Sequence, residues 1–160
     1  MKNILALFLL LLNLGICHGQ SDYVVLNDKE AHENLIDLLI YLPKSAAPTT
    51  ISTSEMTRVN SMMKDCIRTY NDGLKKSGEN RKHFKKYKIL NLRHYKIQYV
   101  PYVNEKGEKE IWINGFCDSM GTDWKKEVIF VFDGGNCFFE IRLNLTTGEC
   151  HSIGISGYSG

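Results

Sequence analysis

Hydrophobic and polar positions follow two different periods along this chain, and the period changes near residue 88. Upstream, apolar residues recur every three or four positions, as on one face of an amphipathic helix. Downstream, they recur at every second position, as in half-buried β-strands. We therefore expect an α+β fold in which helices pack on a curved antiparallel meander of four to five strands.

The clearest helical pattern begins at residue 52, where Ser52 and Glu55 have the spacing of a capping box. One apolar stripe follows along the predicted helix: Met56, Val59, Met63, Cys66 and Tyr70. Gly73 predicts the helix end because glycine readily adopts the left-handed conformation that follows a last turn. A sheet needs such a stripe laid across one face, so we expect these residues to be core.

A second helix is predicted upstream, after a short strand over residues 23–26. Asn27 or Asp28 has the side-chain oxygen needed to cap this helix, and Pro43 would end it. Residues 43–52 are predicted to be a linker, because they hold two of the three prolines of the chain.

Five strands are predicted to form the sheet: residues 88–103, 109–117, 127–133, 136–145 and 149–157. Turn-forming residues lie between several of them, at 104–107, 133–136 and 146–148. Pro101 lies inside the first strand and has no N–H, so this strand should lie at a sheet edge or bulge at that point.

The predicted strand 127–133 is apolar on both faces, although a single helix covers only one face of a sheet. The second face must be covered by the upstream helix, by curling of the strand or by a partner. We hypothesise a protein or ligand interface there. The candidate binding residues come from this face and from the first two strands: Ile129, Val131, Phe138, Gln98, Val100 and Trp112.

Composition narrows the class of protein. The chain has 160 residues, of which 43% are hydrophobic and 24% are charged, a balance that suits one globular domain. The formal charge of +2 gives no general reason to expect a nucleic-acid partner. We also expect no membrane span, because no apolar run after the first twenty residues is long enough to cross a bilayer.

The N-terminal nineteen residues have the pattern of a signal peptide. Lys2 precedes an apolar run over residues 4–14, and Gly19 is a small residue before the expected cleavage point. A lipoprotein signal acylated at Cys17 is the alternative, which the bulky Ile16 disfavours. We therefore expect a secreted or periplasmic protein.

The remaining chain, residues 20–160, is predicted to be a single domain in an oxidising compartment. Residues 20–52 would supply the first helix and the linker, and residues 53–157 the second helix and the meander. Four cysteines remain after cleavage: Cys66, Cys117, Cys137 and Cys150. Three pairings are open, with buried thiols as the alternative. A bridge between residues 137 and 150 is not expected, because strand register separates them by about 20 Å.

Catalytic signatures are missing from the sequence. GxSxG, GxGxxG, a phosphate-binding loop and HExxH are all absent, the histidines are scattered singly, and no cysteine spacing forms CxxC. We therefore expect no catalytic residue, no cofactor and no metal site.

A basic stretch over residues 75–88 carries seven lysines and arginines. It is predicted to be a solvated connection. Docking of an anionic partner, such as a lipid headgroup, a polysaccharide or a nucleic acid, is the alternative.

The segment CFFEIRLNLTTGECHSI, residues 137–153, is similar to the closing hairpin of PepSY-type domains, where a strand ends in an Asp/Asn-x-x-Thr-Gly turn. YKIQYVPYVNEKGEKEIWINGFC and VFDGGNCFFEIRLNLTTG resemble small exported bacterial proteins. A helix followed by a meander also looks like the cystatin-like folds, which include cone-shaped NTF2-like domains. The resemblance covers residues 53–157 and implies a fold but no activity.

Inhibitory cystatins contact proteases through a Gln-x-Val-x-Gly hairpin, which Gln98 and Val100 match, with Tyr102 in place of the glycine. We expect an exported, non-enzymatic binding module for a protein or an envelope component, with a homodimer as one arrangement. The alternatives are an NTF2-like small-ligand or enzymatic pocket, between residues 53–72 and the sheet, and a cystatin-type protease inhibitor. A nucleic-acid partner is not expected.

Overall fold

The computed structural model describes residues 22–37, 42–78 and 80–157. The predicted signal peptide and residues 38–41 of the first predicted helix lie outside these ranges. The helices within them are α1 (Lys29–Asp37), α2 (Thr53–Lys76) and α3 (Arg81–Tyr87). The strands are β1 (Tyr23–Val25), β2 (Ala47–Pro48), β3 (Lys96–Val103), β4 (Lys109–Phe116), β5 (Gly135–Asn144) and β6 (Glu149–Ser156).

All six strands belong to one mixed sheet with the order β1-β3-β4-β5-β6. β3 to β6 form a four-stranded antiparallel meander. β1 runs parallel to the first half of β3, and β2 pairs antiparallel with its last residues. The α+β class, with helices packed on a sheet, is therefore confirmed. β2 was not expected, because it lies in the segment predicted to be a linker.

Pro101 lies between the β3 residues that pair with β1 and those that pair with β2. β4 pairs with the whole of β3 without a bulge, so Pro101 interrupts only the other side of the strand. Its carbonyl still accepts a hydrogen bond from Thr49 N at 3.3 Å. β3 is therefore an edge strand only at Pro101, where neither β1 nor β2 pairs with it.

α2 covers one face of the meander, called here the first face. Its capping box is confirmed: Glu55 N donates to Ser52 Oγ at 3.2 Å, and Ser52 N donates to Glu55 Oε2 at 2.8 Å. The predicted end at Gly73 is wrong. Leu74 extends the buried stripe, and the helix continues to Lys76, before Gly78 takes the positive φ of +76°.

The first face and α2 enclose the main core, which contains no polar layer. From the helix it includes Val59, Met63, Cys66 and Ile67, and from the strands Ile97, Ile111, Ile113, Ile141 and Leu143. Gly115 also belongs to this interface, where the ring of Phe139 lies over its Cα. The predicted apolar stripe of residues 56–70 is therefore core.

The second face of the sheet is covered by the same chain. Leu35 of α1 packs with Val100, Tyr102 and Trp112, and Asp28 Oδ1 caps this helix by accepting from Ala31 N at 2.9 Å. Farther along the sheet, a cluster formed by Phe116, Trp124, Ile129 and Phe138 fills the same layer. The sheet thus lies between two layers of packed side chains.

Residues 127–133 form no strand, so the prediction of a fifth meander strand and of a tight turn at 133–136 is wrong. Two buried amide side chains hold the segment across the second face instead. Gln98 Nε2 donates to Trp124 O and Glu127 O, each at 2.7 Å, and Gln98 Oε1 accepts from Ile129 N at 3.1 Å. Asn114 Nδ2 donates to Ile129 O at 2.8 Å. These bonds satisfy the backbone groups that a neighbouring strand would otherwise satisfy.

The predicted strand start at residue 88 is also wrong, because asparagine side chains favour two short helical turns before β3. Asn80 Oδ1 caps α3 by accepting from His83 N at 2.9 Å. Asn91 Oδ1 caps a 3₁₀ turn, Leu92–His94, by accepting from Arg93 N at 3.1 Å. Such local side-chain bonds compete with the extended conformation.

Two disulfides cross the fold. Cys66–Cys150 joins α2 to β6, with Cα atoms 6.1 Å apart, and Cys117–Cys137 joins the ends of β4 and β5, with Cα atoms 5.1 Å apart. The expectation that residues 137 and 150 do not pair is confirmed. Two such bridges indicate an oxidising compartment. In the described part of the chain, no helix is long and apolar enough to cross a membrane.

Candidate functional site

The candidate binding residues predicted from the sequence are mostly internal. Gln98, Val100, Trp112, Ile129 and Phe138 are all buried, each with no more than 6% of its surface exposed. Val131 is half-buried and packs against the same layer. The second face is covered by this chain itself, since Leu35 of the upstream helix and Trp124 and Ile129 of the β4–β5 connection pack on it. Cover by the upstream helix was one of the alternatives, so the hypothesis of a partner on this face loses its motivation.

Other predicted sites also lie in packed regions. Buried apolar side chains fill the middle of the interface between α2 and the sheet, so space for a pocket between them remains only at the edge beside β6. The Gln-x-Val segment lies in the interior of β3, paired on both sides, and is not an exposed hairpin. Among the described residues, no group of three or more His, Cys, Asp or Glu is placed to hold a metal ion.

A groove lies between α2 and β6, at the opposite end of the sheet from β1. Its volume is about 500 Å³, and it is open along its length. The residues that line it include Met62, Asp65, Thr69 and Tyr70 from the helix, and Cys150, His151, Ser152 and Ile153 from the strand. Met62, Tyr70 and Ile153 are half-buried and give it an apolar floor.

β6 borders this groove as an edge strand. It pairs with β5 on one side, and no strand of the described chain pairs with its other side. A bulge interrupts the pairing, since Leu143 pairs with Cys150 and Arg142 with Ser152, which leaves His151 as the extra residue. Beyond the bulge, residues 152–155 pair regularly with β5 and keep one side of their backbone open.

The Cys66–Cys150 disulfide fixes the width of the groove. Cys66 lies on the buried side of α2 and Cys150 near the start of the edge strand, so the bond holds helix and strand together within the lining of the groove. A covalent link of this kind limits the freedom of both elements. The groove is therefore pre-formed, which lowers the conformational cost of binding.

An open strand edge beside a helix can accept an extended peptide. The main-chain groups of the edge pair with the added strand, while alternate side chains of the peptide enter the groove. Natural proteins usually protect such edges with charges, bulges or a covering element. Here the register with β5 shifts near both ends of β6, and residues 152–155 between the two shifts pair regularly.

A polar cluster lies on the second face around Glu110, a buried carboxylate. Tyr102 donates a short hydrogen bond to its Oε2, and Asn104 Nδ2 and Asn144 Nδ2 lie 2.7 and 3.5 Å from its Oε1. His151 Nδ1, on the bulge of β6, lies 3.7 Å from the same Oε1. These bonds tie the β3–β4 hairpin to the last two strands.

The electrostatics of this cluster fit a structural role. Burial, together with the bond to Glu110, raises the pKa of Tyr102 well above its usual range, so the phenol stays protonated as a donor. Bonds from Asn104 and Asn144 lower the pKa of Glu108. A pocket of about 390 Å³, bordered by Lys106, Arg142 and His151, adjoins Glu110. Both oxygens of that carboxylate accept donors from the chain, which ties Glu110 into the cluster.

Sequence reasoning gave a pocket between residues 53–72 and the sheet as an alternative, but it did not locate that pocket at β6, for a physical reason. In ECHSIGIS, the sequence of β6, polar and apolar residues alternate only weakly, and nothing in it reports whether a sixth strand follows or which helix lies beside it. The one usable signal was Cys66 in the helical stripe, opposite a cysteine in the last predicted strand. Choosing between the three pairings would have needed the register of both.

Comparison of the chain with protein-family models, with curated proteins and with solved structures finds no match. The cystatin-like and PepSY-like resemblance therefore stays a prediction. The function of this molecule is inferred from its own geometry.

Proposed function

We propose that this protein is an exported, non-enzymatic binding module that captures an extended segment of a partner protein along β6. The observation that carries the proposal is the open backbone edge of residues 152–155 beside the apolar floor of the groove. A strand added at this edge continues the antiparallel sheet, and its alternate side chains contact Met62 and Tyr70 of α2.

Export supports the same proposal. The apolar run near the N-terminus and the two disulfides favour a secreted or periplasmic location. Outside the cytosol, the Cys66–Cys150 bond stays oxidised and the groove keeps its width. The partner is then an exported or envelope protein with an accessible extended segment.

The experiment is selection of binding peptides from a random display library with the oxidised protein, followed by titration of the selected peptides. Thr69→Trp fills the groove from the exposed side of α2, and we expect it to weaken binding at least about tenfold. Lys64→Trp is the matched control, because Lys64 is exposed on the same helix outside the groove. We expect it to leave affinity unchanged.

Backbone pairing gives a second test with the same peptides. N-methylation of a peptide bond removes one main-chain donor of the peptide. In an added strand, only every second N–H points toward β6, so methylation should abolish binding at alternate positions and be tolerated at the positions between them. Peptides that bind Thr69→Trp as tightly as the original protein would overturn the proposal. Equal tolerance of N-methylation at all positions would do the same.

A further inference from the structure

The basic stretch of the chain is concentrated on one small part of the surface. Residues 75–93 hold eight lysines and arginines against one acidic residue, while the whole chain has a net charge of only +2. α3 lies in the middle of this stretch, and its four cations, Arg81, Lys82, Lys85 and Lys86, are all exposed. The positive charge is therefore concentrated locally, on and around the helix α3.

The cations of α3 have few acidic neighbours in the described part of the fold. None of them forms an ion pair with a carboxylate of the described residues. Lys86 Nζ lies 5.1 Å from the ring centre of Tyr87, and Lys88 Nζ lies 5.5 Å from that of Phe84. Aromatic rings under the ammonium groups hold them at the surface without cancelling their charge.

Two large apolar side chains are exposed in the same region. Leu90, just after α3, has 46% of its surface exposed, and Phe132 has 69%. Asn136 connects the two segments, since its Nδ2 donates to Lys85 O at 3.2 Å and to Lys88 O at 3.0 Å. Tyr95 Oη also accepts from Leu90 N at 3.1 Å and donates to Asn136 O.

Chain length keeps Phe132 close to these lysines. It precedes Gly135 by three residues, which is at most about 10 Å of extended chain. A Cβ built on Gly135 would lie 3.4 Å from Lys86 O, so α3 packs directly on the start of β5. Asp133, next to Phe132, acts electrostatically on Lys86. The lysines of α3, Leu90 and Phe132 therefore lie in one region of the surface, called here the basic–apolar surface.

The rest of the fold holds this surface rigidly. Asn71 of α2 exchanges two hydrogen bonds of 3.0 Å with the backbone of Ile89, and Tyr70 Oη donates to Tyr87 O at 3.3 Å. The end of α3 is thereby fixed to the longest helix of the molecule. Leu90 remains exposed although both its neighbours in the chain are anchored.

We propose that the basic–apolar surface docks on a lipid bilayer that contains anionic lipids. Lysines near such a bilayer are attracted by its negative surface potential. Exposed leucine and phenylalanine side chains gain by entering the boundary between headgroups and acyl chains. A soluble polyanion would satisfy the lysines alone and leave Leu90 and Phe132 in water, so the combination favours a membrane surface.

Vesicle flotation tests this inference with the oxidised protein. Vesicles of phosphatidylcholine alone are compared with vesicles in which part of that lipid is replaced by phosphatidylglycerol. We expect binding to the anionic vesicles, and we expect it to weaken as salt is raised. Equal binding to both kinds of vesicle, or none to either, would overturn the proposal.

Matched variants test which surface is used. Each lysine near an anionic membrane contributes about a factor of five to binding, so Lys85→Glu with Lys86→Glu should lower the partition by at least about 25-fold. Phe132→Ser should lower it about tenfold. Lys44→Glu with Lys64→Glu makes the same change in net charge at exposed positions elsewhere.

The control double variant should bind within about twofold of the original protein after correction for net charge. All the substituted side chains are exposed, so the variants should unfold at the same temperature as the original protein. A lower unfolding temperature would reveal a variant that has lost binding through loss of the fold. If Lys44→Glu with Lys64→Glu loses as much binding as Lys85→Glu with Lys86→Glu, net charge alone explains the result. The proposal that the basic–apolar surface docks on the bilayer is then refuted. Binding to a DNA duplex or to heparin without binding to anionic vesicles would refute the lipid and indicate a soluble polyanion.

Discussion

A single buried amide decides the path of a long connection. Gln98 bonds to three backbone groups of residues 124–129 and to Asn114 Nδ2, which lies 3.0 Å from its Oε1. Both amides stand on strands of the meander and face the second layer. The connection between β4 and β5 follows them and does not add a strand to the sheet.

Replacement of Gln98 by leucine should therefore be costly. The variant keeps the volume but leaves Trp124 O, Glu127 O and Ile129 N without their partner. Each buried unsatisfied group costs about 1–3 kcal/mol, and relaxation toward water recovers part of this, so we expect a total loss of about 3 kcal/mol. Urea unfolding measures it. A loss under about 1 kcal/mol would mean that these bonds do not hold the connection.

His32 is a buried polar side chain that, unlike Gln98, has no hydrogen-bond partner for its ring nitrogens. It is 1% exposed in α1, and neither ring nitrogen forms a hydrogen bond, although the Pro101 carbonyl lies nearby. Burial lowers its pKa below the ordinary value, and the Pro101 carbonyl and the charge of Asp28 only partly oppose this shift. Because the unfolded chain takes up the proton first, stability is complete above about pH 6.5 and falls as the pH drops toward the folded-state pKa.

The His32→Leu variant tests this sign. Leucine cannot take up a proton, so the stability of the variant should fall less than that of the original protein between pH 7.5 and pH 5, measured by urea unfolding at each pH. At the upper end of this range, the two proteins should differ by less than about 1 kcal/mol, since no hydrogen bond is lost. Parallel curves would show that His32 does not titrate on unfolding.

At the scale of elements, two glycines in regular structure should respond oppositely to alanine. A Cβ on Gly115 of β4 would collide with the ring of Phe139, whereas a Cβ on Gly73 of α2 meets nothing within 4 Å. We expect Gly115→Ala to destabilise the fold by about 1–3 kcal/mol through overpacking. Gly73→Ala should stabilise it by about 0.5–1 kcal/mol, because alanine favours a helix interior.

Thermal unfolding of the two variants measures both effects, and each variant controls for the other. If Gly73→Ala destabilises, the helix does not continue through residue 73. If Gly115→Ala is neutral, Phe139 can move and the first face is less tightly packed than the contact implies.

Local signals predicted those elements whose cause lies in nearby residues. The capping box at Ser52 could be predicted from the sequence. The turn after Asn144 could be predicted too: Asn144 Oδ1 accepts from Thr146 N and Thr147 N, each at 2.9 Å, and Gly148 follows with a φ of +83°. The conformation of residues 127–133 could not be predicted from the sequence. Their alternation of apolar residues also fits a strand, and the amides that hold them lie up to about thirty residues away along the chain.

The candidate site was predictable only in kind. Composition, the export pattern and the missing catalytic signatures favour a binding module, but the first candidate face was the wrong one. The two-sided apolarity of residues 128–139 is satisfied within the chain, because Val128 and Phe130 pack against the cluster around α1, and Ile129 and Phe138 pack with Trp124. The order of strands, which leaves β6 at the edge, follows from the whole topology and has no local signal.

At the scale of the whole molecule, the two disulfides should contribute unequally. Cys66–Cys150 spans 84 residues and Cys117–Cys137 spans 20. Loop-closure entropy predicts about 4–5 kcal/mol for the longer loop and about 3 kcal/mol for the shorter, as upper values. Urea unfolding of the two Cys→Ala double variants should therefore show the larger loss for Cys66→Ala with Cys150→Ala.

The same two variants distinguish stability from function. Loss of Cys66–Cys150 removes the covalent link across the groove and should weaken binding of the selected peptides. Cys117 and Cys137 do not line the groove, so loss of their disulfide should not weaken it. Equal peptide affinity in both folded variants would show that the bond to β6 does not pre-form the groove.

Amide hydrogen exchange of the oxidised protein, with and without a selected peptide, tests the edge-strand proposal most directly. An added strand pairs with the outward amides of residues 152–155, so we predict that these alone in β6 gain strong protection, together with weaker protection along the facing side of α2. Protection confined to other strands or to the hairpin around Glu110, with β6 unchanged, would contradict the account.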